Sequence, residues 1–390
     1  MTVKRVLLIH NAYQHRGGED TVVEAETALL MQHGVDVAVY QRHNDELDAL
    51  PRWQAAAQAL WSRRTVAEVS DQIAHFKPDV VHVHNTFPLV SPSVYWAATR
   101  AGVATVATLH NFRLLCPQAM LLRDGQVCRQ CVGHVPWPAI QHRCYRGSVA
   151  QSAVAAAVLQ GHRWLGTWSG KVGRYIALTD YARELFIAGG LPPAKVVVKP
   201  NFIDLPDTAV NTLRHGLLFV GRLSAEKGVQ VLAEAAGRGP LAEPLSVQGD
   251  GPARAALEHL PGVHLLGQAS LAGVVAQMRA ARALVLPSIC IENFPRTLVE
   301  AMACALPVIA SRLGAMATLV DHGRTGLLFS PGDAADLRAK LDWAMAHPEA
   351  MAVMGRTARA VYEQKFQGET NLRQLLAIYE SARAEAFSGV

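Results

Sequence analysis

The sequence predicts an α/β protein built from two doubly wound parallel sheets. Short apolar runs alternate with helical patterns, as strand–helix–strand units require. The alternation breaks at Lys199-Pro200-Asn201-Phe202-Ile203-Asp204-Leu205-Pro206, a hinge-like stretch with two prolines, and then restarts. With 390 residues the chain is long enough for two domains of ordinary size.

In the first half, Val6–Ile9, Val35–Tyr40, Val80–His84, Thr105–Leu109, Ile176–Thr179 and Val196–Lys199 read as buried strands. Between them, Thr21–Gln32 reads as a helix stopped at Gly34. Ser91-Pro92 starts a helix over Val94–Arg100, and Thr179-Asp180 starts one over Tyr181–Ala188 that ends at Gly189-Gly190. In the second half the strands are Leu217–Val220, Leu245–Gln248, Val263–Leu266, Ala283–Leu286, Val308–Ala310 and Leu327–Phe329. The expected domains are residues 1–203, carrying an insertion at about 112–147, and residues 208–368. Such sheets take ligands outside the carboxyl ends of their strands, here across a cleft between the two domains.

Half of the residues are hydrophobic and 18% are charged, which suits large buried sheets and excludes a disordered chain. The net charge of +5 is compatible with phosphate ligands or an anionic membrane surface. It is too small and scattered to argue for nucleic acid. No secretory signal is expected, because Val6-Leu7-Leu8-Ile9 stops at His10, and no run approaches the ~20 apolar residues of a membrane span. Six cysteines without such a signal point to a reducing cytosol.

The most informative segment follows the strand Ala283–Leu286. Glu292 and Glu300 sit eight apart, the first in a loop and the second inside a helix. Pro295 fits the first helical position, where its fixed φ is suitable and its missing N–H costs nothing. The amides of Arg296, Thr297 and Leu298 would then point out of a helix N-terminus, a ready anion site. Carboxylates beside such a helix end suit a ligand carrying both hydroxyls and phosphates, as a nucleotide sugar does.

The segment Glu292 to Glu300 resembles the E-x7-E signature of retaining glycosyltransferases, especially family 4. Gly221-Arg222-Leu223-Ser224-Ala225-Glu226-Lys227-Gly228 resembles that family's donor-phosphate segment. Gly249-Asp250-Gly251-Pro252 matches its G-x-G-P turn, and Arg16-Gly17-Gly18-Glu19 its N-terminal glycine loop. The resemblance runs from about Val6 to about Phe329 and implies the GT-B fold. It also implies that a last helix, here Asn371–Ala386 within 369–390, crosses back to the first domain. Glu292 would contact hydroxyls of the donor sugar and Glu300 those of the ribose. Asn293, Phe294, Pro295, Arg296, Thr297 and Leu298 would line the phosphate or sugar oxygens. One departure is Pro295, where the family often has Gly; it removes one amide donor. His110 matches a histidine that contacts the donor near the reacting carbon.

The chain has no D-x-D metal motif, so Arg222 and Lys227 read as the cations that stabilise the leaving diphosphate. Their alternative is two solvated basic residues at a helix start. Gly17 and Gly18 would bring backbone amides to the ligand or form a plain turn. His82 and His84 share one strand face and read first as satisfied structural histidines. No carboxylate nucleophile is assigned, because the family is thought to react on one face with the leaving phosphate as base.

Cys116, Cys128, Cys131 and Cys144 cluster around a C-x2-C knuckle, with His134 and His142 as alternative ligands. They would hold a structural zinc or an iron–sulfur cluster, or remain free thiols. No cofactor is expected to be required for catalysis. Between Ser148 and Arg174, Trp164 and Trp168 lie among Arg163, Lys171 and Arg174, a pattern that suits a membrane interface or an ordinary packed helix.

The expectation is a cytoplasmic, metal-independent retaining hexosyltransferase, peripheral at the inner face of the plasma membrane. It would move sugar from a nucleoside diphosphate to a saccharide or lipid-linked acceptor in bacterial polysaccharide assembly. Alternatives are a phosphorylase or epimerase on the same architecture, or a non-catalytic sugar-nucleotide scaffold. A dehydrogenase is set aside, since His10-Asn11-Ala12-Tyr13 replaces G-x-G-x-x-G after the first strand.

Overall fold

The computed structural model describes residues 3–14, 17–205 and 214–388. Arg16 of the glycine loop and Pro206 of the hinge lie outside them. The chain divides into two compact units. One falls within Met1–Met120, Arg129–Pro200 and Asn371–Val390, the other within Leu121–Cys128 and Asn201–Thr370.

The strands are β1 (Arg5–Ala12), β2 (Asp36–His43), β3 (Val80–Val83), β4 (Ala104–Leu109), β5 (Leu122–Arg123), β6 (Gln126–Val127), β7 (Arg174–Ala177), β8 (Val196–Val198), β9 (Leu217–Val220), β10 (Leu245–Gln248), β11 (Val263–Gly267), β12 (Ala283–Leu286), β13 (Val308–Ser311) and β14 (Gly326–Phe329). The first unit holds a six-stranded sheet in the order β2-β1-β3-β4-β7-β8, and the second one in the order β11-β10-β9-β12-β13-β14. Every pairing within these two sheets is parallel. The twelve apolar runs read from the sequence are these twelve strands, with ends moved by a few residues. A run such as Leu217–Val220 or Ala283–Leu286 is buried on both faces, as a parallel sheet covered by helices demands. The small antiparallel β5–β6 pair, at Asp124-Gly125, escaped the apolar pattern because its residues are half-buried or exposed.

Strand order reverses between β1 and β3 in the first sheet and between β9 and β12 in the second. Loops that diverge from such a reversal leave a crevice at the strand ends. Two helix boundaries move with consequences for the site. The first helix is Gly18–Gln32 and not Thr21–Gln32, so Gly18 lies inside it and Gly17 is its N-cap. Helix Arg296–Ala303 starts after Pro295, which is its N-cap with φ −74° and ψ 94° and not the first helical residue. The last helix is Gly368–Ser388, and its residues from Asn371 onward belong to the first unit.

Candidate functional site

In the second unit, the loops leaving β9 and β12 bring two charged side chains together. After β9 the chain forms a single 3-10 turn, Ala225–Lys227, closed by Gly228 at φ 71°. A Cβ on Gly228 would lie 1.9 Å from the carbonyl oxygen of Pro287, just beyond β12, so only glycine lets the two loops meet. Ile289 N–H donates to the Glu226 carbonyl at 3.0 Å and locks the same junction. Lys227 Nζ is thereby set 2.6 Å from Glu292 Oε1, which also accepts from Ser288 Oγ at 2.8 Å. Burial works against the Lys227 charge, but the Glu292 carboxylate outweighs it and raises the ammonium above its ordinary pKa. Arg222 is exposed and has no partner among the described residues.

The turn Gly249–Pro252 supports this group from beneath. A Cβ on Gly249 would meet the Gly221 carbonyl at 1.9 Å, and one on Gly251 the Leu223 carbonyl at 2.4 Å. Leu223 N–H donates to Asp250 O at 2.9 Å, and Ala253 N–H to Leu223 O at 2.8 Å. The turn therefore fixes the main chain on both sides of Arg222.

At helix Arg296–Ala303 the expected trio of amides is reduced. Leu298 N–H donates to the Pro295 carbonyl at 3.0 Å, so it is not free for a ligand, and its side chain is fully buried. Such an early i→i−3 bond tightens a first helical turn. Phe294 packs near Phe366 at 6.2 Å and against the core, so its side chain braces the loop. Glu300 is 6% exposed, a buried carboxylate in a helix whose other buried residues are apolar. Burial raises its pKa, while Arg296, 3.6 Å away one helical turn earlier, partly holds it down.

In the first unit, Gly17 N–H donates to Asp20 Oδ2 at 2.7 Å, so that amide caps its own helix; Gly18 is exposed at the helix start. His110 follows β4 and lines a cavity with His84, Asn111, Arg113, Phe87 and Trp168. Its Nε2 lies 2.9 Å from His84 Nδ1. Burial holds His110 well below the ordinary histidine pKa and lowers His84 to about 4. His82 is fully buried between Tyr379 and Thr108, each at 2.8 Å, in keeping with the structural reading.

Sequence reasoning missed Glu26, Lys199 and Glu19. Glu26 Oε2 accepts from Lys199 Nζ at 3.1 Å, and Lys199 also donates to Asn371 Oδ1 at 2.8 Å. Burial alone would raise the Glu26 carboxyl, but Lys199 and then His82 hold it well below the usual range. Its signal was in the helix pattern: Val22, Val23, Glu26, Leu29 and Leu30 form one buried stripe with a carboxylate in the middle. Glu19 accepts from Tyr13 Oη and Asn111 Nδ2, each at 2.8 Å, and burial raises its pKa.

Among the described residues, one group of three or more His, Cys, Asp and Glu has ligand atoms all within 4.8 Å: Glu26, His82 and His84. The cysteines are not such a group. Cys116, Cys131 and Cys144 fall in the first unit and Cys128 in the second. A dication at Glu26 would face the Lys199 ammonium, which already neutralises that carboxylate.

Fold and site together define a GT-B protein, with paired basic and acidic groups at the reversal of its second sheet. A crystal structure of Anabaena HepE in complex with UDP and glucose superposes with a TM-score of 0.66 over all of both chains, at 20% identity. The profile described as Glycosyltransferase Family 4 matches residues 16–206, and that of Glycosyl transferases group 1 matches residues 214–347. The D-rhamnosyltransferase WbpZ of Pseudomonas aeruginosa is 34% identical over 161 residues, 38% of this chain and 41% of that protein. The D-inositol 3-phosphate glycosyltransferase of Pseudarthrobacter chlorophenolicus is 28% identical over 324 residues, 75% of this chain and 68% of that protein. The chain spans about two fifths of the length of the first of these relatives. It belongs to the glycosyltransferases of family 4 type.

Proposed function

We propose that this protein transfers a hexose-like sugar, with retention and without a catalytic metal, from a nucleoside diphosphate to a saccharide or lipid-linked saccharide. The observation that carries the reading is the Lys227–Glu292 pair, on the same loop as an Arg222 that has no side-chain partner among the described residues. Breaking the bond between the anomeric carbon and phosphate leaves negative charge on the diphosphate. Lys227, Arg222 and the Arg296 and Thr297 amides would stabilise that charge more in the transition state than in the ground state. Glu292 would orient a sugar hydroxyl, Glu300 the ribose, and His110 would meet the sugar near the reacting carbon. The departing phosphate oxygen takes the proton of the acceptor hydroxyl as the new C–O bond forms on the same face.

Calorimetry with nucleoside diphosphate sugars tests this, uridine donors first because HepE was crystallised with UDP and glucose. Binding of one such donor that persists in EDTA supports the reading; no binding by any of them defeats it. NMR of the product's anomeric proton then decides retention.

The acceptor reading extends to polysaccharide assembly at an anionic membrane. Between Asp124 and Asp180 the sequence has six Lys and Arg and no acidic residue. Trp164 is 78% exposed there, with Val135, Trp137 and Leu165 also exposed, whereas Trp168 is buried. No helix among the described residues is long and apolar enough to cross a membrane. Interfacial binding through exposed tryptophans and basic groups fits this composition. Co-sedimentation with phosphatidylglycerol vesicles that Trp164→Glu does not weaken would remove this part.

A further inference from the structure

The geometry points to a second assignment: Glu26 is a positioning residue that acts through His84 to fix the tautomer of His110, so that His110 offers a bare Nδ1 to a sugar hydroxyl. The inference rests on the reading of His110 as a donor-contacting residue and adds which of its atoms makes the contact and with what.

Lys199 fixes the charge state of Glu26. Its ammonium is 1% exposed and lies 3.1 Å from Glu26 Oε2, so Glu26 is an ionised carboxylate that only accepts. Lys199 occupies Oε2, which leaves Oε1 facing the histidines. His84 Nε2 lies 3.3 Å from that oxygen and His82 Nδ1 3.1 Å from it. Glu26 Oε1 and His84 Nε2 are both buried and neither has a formed hydrogen bond elsewhere. Facing an anion at that distance, His84 Nε2 must carry its proton. Burial keeps His84 neutral, so its Nδ1 is a lone pair. That lone pair is 2.9 Å from His110 Nε2, which must therefore donate. His110 is neutral as well, for the same reason. Its Nδ1 is left bare, and among the described residues it has no hydrogen-bond partner.

A bare imidazole nitrogen at the cavity wall repels a phosphate oxygen and accepts from an O–H. His110 thus selects a hydroxyl at this point. The carboxylate sets this orientation from the buried face of the first helix without touching a ligand.

The test uses full-length protein labelled with 15N-histidine, in which long-range 15N–1H NMR correlations report each ring's tautomer. Wild type should show His84 and His110 as Nε2–H forms. In Glu26→Gln the amide oxygen turns to Lys199 and the NH2 to His84, so both rings should flip to Nδ1–H. Turnover should fall tenfold or more with a smaller change in donor KM. His84→Asn keeps the Glu26–Lys199 pair and carries the test should Glu26→Gln not fold. It should lower turnover by a similar factor, and the double variant should be no worse than either single one. His110 found as Nδ1–H in wild type, or His84→Asn with unchanged turnover, overturns the assignment. So does stoichiometric zinc released by Glu26→Gln, which would make Glu26 a ligand. The tautomers are read without substrate, so a failure of donor binding to wild type defeats the transferase reading separately.

Discussion

Lys227 Nζ and Glu292 Oε1 lie 2.6 Å apart although 65 residues separate them in the chain. The pair exists because β9 and β12 are neighbours at the reversal of the second sheet. Gly228 then lets their loops touch main chain to main chain. A half-buried carboxylate beside the ammonium keeps Lys227 charged and aimed before any ligand arrives. Glu292→Gln should lower turnover about 10²–10³-fold, with a smaller effect on donor affinity. Intact-mass spectrometry with a slow fluorinated donor should find no sugar attached to the enzyme. A covalent adduct on Glu292 would show that it attacks and does not orient.

Arg222 differs from Lys227 in having no side-chain partner to lose among the described residues. Arg222→Met should leave the melting temperature within about 2 °C of wild type, as surface substitutions do. Donor affinity should weaken by about 1.5–3 kcal/mol, the range for a hydrogen bond to a charged group. The loss should shrink as salt is raised in titration calorimetry. Unchanged affinity would assign Arg222 to the solvated surface.

Stability should rise with pH from about 4 to 6.5. His84 titrates at about 4 when folded, against about 6.5 in an unfolded chain, so the unfolded state binds more protons throughout that window. The stability is present above pH 6.5 and is lost as pH falls to 4, by roughly 3 kcal/mol from His84 alone. His110 is shifted in the same direction, and Glu26 adds a further loss below about pH 4.3, where its unfolded form takes up protons. Urea unfolding at pH 7, 5.5 and 4.5 measures the slope. His84→Asn should flatten it, and an equal slope in the variant would place the dependence elsewhere.

Gly228→Ala should destabilise the protein by about 3 kcal/mol or more, because the added carbon meets the Pro287 carbonyl at 1.9 Å and its backbone sits at φ 71°. Gly267→Ala is the matched control. It has φ 74° but nothing within 4 Å of the new carbon, so it should cost only about 1 kcal/mol of backbone strain. Equal losses in chemical denaturation would mean that strain alone, and not the loop junction, accounts for Gly228.

The strands were legible because twelve short apolar runs have no other way to be buried. Lys227 and Glu292, which the structure brings together, could be picked out because both lie in loops that follow apolar runs, where α/β sheets bind ligands. The amide count at the helix was not. Pro295 reads equally well as cap or first helical residue, and only the bond from Leu298 N–H to its carbonyl decides. The use of the Gly17 amide was open in the same way, and Asp20 takes it at 2.7 Å. Glu26 could have been found, because an acid inside the stripe Val22, Val23, Leu29, Leu30 needs a counter-charge. Its partner Lys199 lies 173 residues away and gives no local signal.

Lys199 stands one residue before the chain leaves the first unit at Pro200, and Asn371 is where it returns. Both tethers are fastened to a single knot: Lys199 grips Glu26 and Asn371, and Asn371 in turn holds the Pro200 carbonyl. Neutralising that one carboxylate would loosen the strand end at Lys199 and the start of the returning helix segment at Asn371 together.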